Sequence, residues 1–350
     1  MPEWPLLRAL RGGHGTRSLS LTARRLHNLP WGLAKMKALE CLNLRDNRLC
    51  RLTPDMEALR RLKVLNLGNN IFEEVPEQLT CLKSLQKLHL FGNKITTMSP
   101  LMCGGLQNLV LLNLNNNLFS YLPPEIHRLE NLECLSLNNN QLRSIPKELC
   151  SLQKLRELHL SHNSLTALPE EIEHLAELQI LRLSRNQIEE LPEGLCKMAS
   201  LRVLDLAGNK IQIFPAAIQN LELVELYCEG NPLLQKHPVN AIQEEDVLTL
   251  KEITARFILA QLKSNNLSLL RAIKQNAEAQ DILSQQEECA QCGCGFLNMW
   301  LECVQFVDVK QVKQRMMTSR NMHPLPVRIL LCSYKCFNRH DEGLFGIAVA

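Results

Sequence analysis

The sequence predicts an α/β solenoid, a horseshoe of short parallel strands joined by short helical returns. Three observations carry this reading. Nine asparagines (Asn47, Asn70, Asn93, Asn117, Asn140, Asn163, Asn186, Asn209 and Asn231) follow one another at steps of 22 to 24 residues. Each closes an apolar pattern, L-x-x-L-x-L-x-x-N, as in Leu155, Leu158, Leu160 and Asn163. Most are followed by two apolar positions and a proline, as in Leu165, Leu168 and Pro169. A period of this length marks stacked units, each burying a face that its neighbour cannot bury alone.

Within one period the last two leucines stand two residues apart, on one face of an extended strand. The residues between them face the other way. The asparagine falls where the chain must turn, and its carboxamide offers donors and an acceptor to backbone groups left unpaired there. The Leu-Pro pair sets an extended segment, since proline forbids simple continuation of a helix or ladder. The closing x-x-L-x-x-L, as in residues 170–175, predicts a short helix or 3₁₀ turn. Ten strands at about 4.8 Å each give a concave sheet roughly 45 Å long.

The array is expected over residues 17–236, after an N-terminal flank of residues 1–16. Its first repeat is degenerate: 18–30 keeps the pattern, but Arg24 stands in the asparagine's place, as suits a terminal unit whose outer side meets water. In the last repeat Cys228 replaces the third leucine. Residues 237–285 read as a helical cap or linker, and 286–350 as a cysteine-containing module.

This repeat, with its L-P-x-x-[LI] ending, resembles the intracellular Ras-group class of leucine-rich repeats. The pairing of such repeats with a tail reading CSYKCF at 332–337 and LFGIA at 344–348 is similar to one family of these proteins over the whole chain. The resemblance implies a leucine-rich repeat solenoid (horseshoe) in an intracellular protein without enzymatic activity. It implies little about the partner.

A formal net charge of +3 favours no class of partner at this size. There is no apolar run long enough for a membrane span, and the N-terminal MPEWPLLRALRGGHG is not expected to be a secretory signal. Eight of the 14 cysteines (Cys41, Cys50, Cys81, Cys103, Cys134, Cys150, Cys196 and Cys228) are scattered through the repeats, and read as reduced packing residues. The expected compartment is the cytoplasm, with the nucleus as the alternative. No H-E-x-x-H, P-loop, G-x-S-x-G or dinucleotide fingerprint occurs, so no enzyme is expected. Nothing in the spacing makes Cys303 or Cys332 a nucleophile for His323. The basic stretch of Lys310, Lys313, Arg315 and Arg320 lacks interleaved aromatics and reads as a solvated loop, not a nucleic-acid surface.

The register places outward residues of the concave face. Its first half is polar and nearly uncharged, with His89 and Asn113 among its members. Its second half carries Glu157, His159, His162, Arg182, Arg185, Asp205 and Tyr227. A mixed charged cluster with Arg and Tyr fits a protein-binding surface.

Beyond the array, 246–263 carries an apolar stripe of Leu250, Ile253, Phe257, Ile258 and Leu262 with Thr254 on it, as a cap over the last repeat would. Its Thr249-Leu250-x-x-x-Thr254-x-x-x-Ile258 spacing resembles the elongin-binding box of cullin ubiquitin ligase receptors, with Thr254 where Cys or Ala is usual. That resemblance implies Leu250, Thr254 and Ile258 lying in a partner's apolar groove. Next come Cys289-Ala-Gln-Cys292-Gly293 and Cys332-Ser-Tyr-Lys-Cys336, a four-thiolate arrangement for one structural zinc, with Cys294 and Cys303 spare. Buried free thiols and disulfides are the alternatives. Strand-like segments at 301–309 and 327–332 between the pairs predict a small hairpin-like sheet.

The leading functional expectation is a non-enzymatic intracellular module that binds a protein on its concave face. The alternatives are a substrate receptor of an elongin–cullin ligase and a scaffold or regulator of a small GTPase or phosphatase.

Overall fold

The computed structural model describes residues 15–30, 32–234, 248–264, 266–297, 301–307, 317–318, 324–333, 336–337 and 345–349. Most of the N-terminal flank, residues 235–247, His323 and the basic residues Lys310, Lys313, Arg315 and Arg320 lie outside these. The chain falls into two compact units. One comprises 1–211, 220–232 and 315–320; the other comprises 212–219, 233–314 and 321–350.

The first unit is the leucine-rich repeat solenoid. Ten strands of three residues pair in parallel, from β1 (Ser18–Ser20) through β2 (Cys41–Asn43), β3 (Val64–Asn66), β4 (Lys87–His89) and β5 (Leu111–Asn113). The series continues with β6 (Cys134–Ser136), β7 (Glu157–His159), β8 (Ile180–Arg182), β9 (Val203–Asp205) and β10 (Glu225–Tyr227). The central leucine of each strand pairs with that of the next, as Leu135 does with Leu158, and these leucines are buried. Alternation then forces the residues on either side of the leucine to the outer face.

The asparagine ladder is satisfied within the stack. In Asn140, Nδ2 donates to Leu114 O of the preceding turn and Leu137 O of its own, both at 3.0 Å, and Oδ1 accepts from Phe119 N at 3.1 Å. Asn47, Asn70, Asn93, Asn117, Asn163, Asn186, Asn209 and Asn231 repeat this pattern, each tying its own turn to the one before. Arg24 breaks the series without loss, because Asn47 supplies the acceptor for Arg24 N and Leu26 N.

Among the described residues, eight of the returns are five-residue or shorter 3₁₀ turns led by Gly, Thr or Pro, as at Pro169 before Glu170–His174. The interval from Asn93 to Asn117 is one residue longer than its neighbours, and it alone returns through an α-helix, Pro100–Gly105, capped by Ser99. The wider α-helical turn absorbs the extra residue without shifting β5 out of register. Phe72 and Phe119 fill aliphatic positions in the core and are fully buried.

In the second unit, helices span Leu250–Lys263, Leu267–Lys274 and Ala277–Ser284. Strand β11 (Glu287–Glu288) pairs with β12 (Gly295–Phe296). The hairpin-like sheet expected from the sequence is three-stranded, with β13 (Leu301–Val307) between β15 (Leu325–Leu331) and β16 (Phe345–Val349). The two-residue strand β14 (Met317–Thr318) instead extends the parallel sheet beside β10.

The Leu250–Lys263 helix corrects the sequence expectation about which face is buried. Its buried residues are Glu252, Ala255 and Leu259, whereas Leu250, Ile253 and Phe257 of the apolar stripe are exposed. Two contacts set this rotation. The Glu252 carboxylate accepts from Leu297 N and from Arg256 Nε, and Leu259 lies against Gly295, where an added Cβ would sit 2.9 Å from its Cδ1. A buried, fully hydrogen-bonded carboxylate outweighs the apolar pattern in choosing the inner face.

Replacing Asn140 with alanine strands two buried carbonyls and one buried N–H. We expect a loss of about 3–9 kcal/mol, from three orphaned groups at roughly 1–3 kcal/mol each, measured by denaturant unfolding. A loss below about 1 kcal/mol would show the ladder to be incidental.

Candidate functional site

The predicted concave residues fall into groups along the sheet. Arg182, Arg185, Asp205 and Tyr227 come together around a concavity of ≈ 580 Å³, with Glu225 and Glu229 also in its wall. Glu157 and His159 form a separate group with Cys134. His89 packs edge-on against Phe91, with ring centroids 6.5 Å apart, and its burial and Lys87 lower its pKa, so the ring stays neutral. Asn113 and His162 do not line the concavity.

The middle residue of the L-x-L strand often serves the backbone before any partner. Asn43, Asn66, Asn113 and Asp205 each accept through the side chain from the N–H two residues ahead, at 2.9–3.2 Å. This closes the first step out of the strand, as Asn and Asp do in local turns. Asp205 therefore has one oxygen engaged while it faces the concavity.

The residue before each ladder asparagine sits in the left-handed region. Asp46, Asn69, Gly92, Asn116, Asn139, Gly208 and Gly230 have φ between 52° and 72°. These are the residue types that tolerate that conformation. His162 and Arg185 hold it as well, at φ 57° and 56°. A bulky residue there costs about 1–2 kcal/mol. The composition of this column, nearly all Asn, Asp and Gly, was a turn signal that a purely strand-based reading passes over.

Arg182 and Arg185 are exposed, and neither guanidinium makes a hydrogen bond or ion pair with another described residue. Their donors face the concavity unspent. Tyr227 Oη donates to Glu225 Oε2 at 3.2 Å. Burial and that carboxylate raise the phenol's pKa, so Tyr227 remains a donor.

The second cluster gathers the four tail cysteines predicted as metal ligands. The Sγ atoms of Cys289, Cys292, Cys332 and Cys336 all lie within 4.8 Å of one another, and Cys332 Sγ is 3.5 Å from both Cys292 and Cys336. Tetrahedral zinc at about 2.3 Å from each sulfur would space them roughly 3.8 Å apart. A disulfide would bring two of them to about 2.05 Å. Gly293, at φ 67°, turns the chain back after Cys292, and Lys263 Nζ donates to its carbonyl.

The protons are unevenly shared in this cluster. Burial works against ionisation of Cys292, but hydrogen bonds from the Cys294 backbone and from the other thiols lower it to about 6. Burial and the Cys292 sulfur push Cys332 up, and burial raises Cys336. Crowded sulfurs cannot all ionise without a cation among them. Such a group can bind a metal. Cys303 is buried on β13 and is not part of it, and Cys294 is exposed.

In the repeats, Cys103, Cys150, Cys196 and Cys228 are buried, and burial pushes each thiol up to about 12. They are protonated packing groups. Among the described residues no helix is long and apolar enough to cross a membrane.

Residues 146–287 match a family model described as a leucine-rich repeat region, and 131–152 match a leucine-rich repeat model. The chain is 59% identical to the leucine-rich repeat-containing protein 69 of Homo sapiens over 348 residues, 99% of each chain. The protein of the same name from Xenopus laevis is 56% identical over 134 residues, and that match spans 38% of either chain. Among solved structures, the crystal structure of a TDR receptor is 26% identical with a TM-score of 0.56, covering 67% of this chain and 46% of that one. The repeat fold is that of a protein-interaction module. With a relative matched from end to end, the chain belongs to the leucine-rich repeat-containing protein 69 family.

Proposed function

We propose that the chain is a non-enzymatic module that grips a protein partner at the concavity around Arg182 and Arg185. The observation that carries this reading is the pair of exposed guanidiniums with no described partner in the chain. Each offers five donors in a rigid fork suited to carboxylates. Arg185 is also held in a conformation that disfavours it, and strained residues gather where a surface is used. The partner is expected to present acidic side chains to the arginines and a donor to Glu225 and Glu229. Scaffolding of a small GTPase or phosphatase would use the same surface.

A second reading, an elongin-type contact through Leu250, Thr254 and Ile258, is favoured by one observation: Leu250 is 79% exposed. Thr254 is exposed too, its hydroxyl donating to Leu250 O, while Ile258 is half-buried.

For the tail we propose one structural zinc held by Cys289, Cys292, Cys332 and Cys336. The sulfur spacing supports it. Four protein ligands leave no open position, so the ion would hold the fold and do no chemistry.

Affinity capture with the intact chain separates the two contact surfaces. Arg182→Glu with Arg185→Glu is expected to weaken capture at least tenfold with little change in melting, and Arg185→Asn to weaken it while melting no lower. Leu250→Asp should release only elongins. Capture indifferent to both arginine changes would overturn the concave reading.

The zinc reading predicts bound zinc in the purified chain that Cys292→Ala loses, with chelation making the tail protease-sensitive and leaving the repeats intact. Less than one zinc per chain, with a tail indifferent to chelator, contradicts it.

A further inference from the structure

We infer that Cys134, Glu157 and His159 form a second metal site, for a zinc-class divalent ion, on the concave sheet. It is independent of the partner reading and of the tail cysteines. Among the described residues these are the two groups of three or more His, Cys, Asp or Glu side chains whose donor atoms converge within 4.8 Å.

The fold builds this site from strand register alone. Cys134 of β6 stands directly beside Glu157 of β7, and His159 follows Glu157 by two residues on the same strand. All three side chains therefore leave the same face of the sheet. Between them, Leu135 and Leu158 pair on the opposite face with no exposure, which fixes the backbone under the site. A metal ion would meet ligands already in place.

The spacing fits a small tetrahedral ion. Cys134 Sγ lies 3.7 Å from Glu157 Oε2, and His159 Nε2 lies 3.2 Å from that same oxygen. Zinc at about 2.0–2.3 Å from each donor separates S, O and N ligands by roughly 3.3–3.6 Å. Glu157 Oε2 already accepts from both Cys134 and His159 across the volume the ion would take. All three are half-buried, enough to exclude part of the competing water and leave a path in.

Donor chemistry selects the ion. Sulfur, imidazole and carboxylate together suit zinc and its borderline neighbours, whereas magnesium and calcium prefer oxygen alone. Binding exchanges the Cys134 thiol proton for the metal–sulfur bond, and the proton leaves to solvent. Three protein ligands leave one coordination position, directed to the open side of the sheet, for water or a side chain of another molecule. This differs from the tail, where four cysteines close the shell. Arg182 stands beside His159 in the β7–β8 register, and its charge lowers the affinity expected of the site.

Cobalt(II) and zinc(II) titration of the intact chain tests the site by subtraction. Wild type is expected to bind one more equivalent than Cys134→Ala, and the sulfur-to-cobalt absorption of that equivalent disappears in the variant. His159→Ala and Glu157→Gln should weaken the same equivalent at least about tenfold, while Cys292→Ala leaves it unchanged. Circular dichroism melts confirm that each variant is folded, and the half-buried Glu157 provides the mildest substitution. Equal stoichiometry and affinity in wild type and all three concave variants would overturn the inference, whether or not the tail binds metal.

Discussion

From the second repeat on, each turn of this solenoid is fastened to the previous one by one asparagine carboxamide, buried at seven of its nine positions. The asparagine satisfies two carbonyls with its amide nitrogen and a backbone N–H with its oxygen, and those groups belong to different turns. Because the partners are backbone atoms, the contact fixes where one turn lies over the next whatever side chains surround it. The strands inherit that register, and the outward residues inherit their places from the strands. The one longer interval keeps the contact by changing its return from a 3₁₀ turn to an α-helix.

On this frame the concave side chains divide by what they do for the chain itself. Asn43, Asn66, Asn113 and Asp205 close the backbone as it leaves the strand. Glu157, His159 and Cys134 are engaged with one another. Arg182 and Arg185 hold no described partner, and Arg185 occupies a position that otherwise favours Asn, Asp or Gly. The proposed partner contact rests on these two side chains.

Much of the fold was legible because its determinants are local and repeated. Period, strand alternation and Leu-Pro breaks each leave a fixed trace in the sequence, and the four tail cysteines announce themselves by spacing. The Leu250–Lys263 helix departs from its apolar pattern because its orientation is set by Glu252, whose partner Leu297 is distant in sequence and invisible to a helical pattern. Likewise Glu157 and His159 read along one strand look like two of many polar positions. Only reading across the register, from Glu157 to Cys134 one period earlier, brings the third donor into view. The left-handed column was visible in composition, but its meaning depends on a turn that follows the strand by a single residue.

Native-state amide hydrogen exchange tests the central claim, that the ladder carries the stacking. The N–H groups of Phe72, Ile95, Phe119, Leu142, Leu165 and Ile188 donate to successive ladder asparagines. They should exchange only through opening of the array, with protection within about 1 kcal/mol of the most protected strand amides. Exchange of these amides at the rate of exposed loops, with the strands still protected, would contradict it.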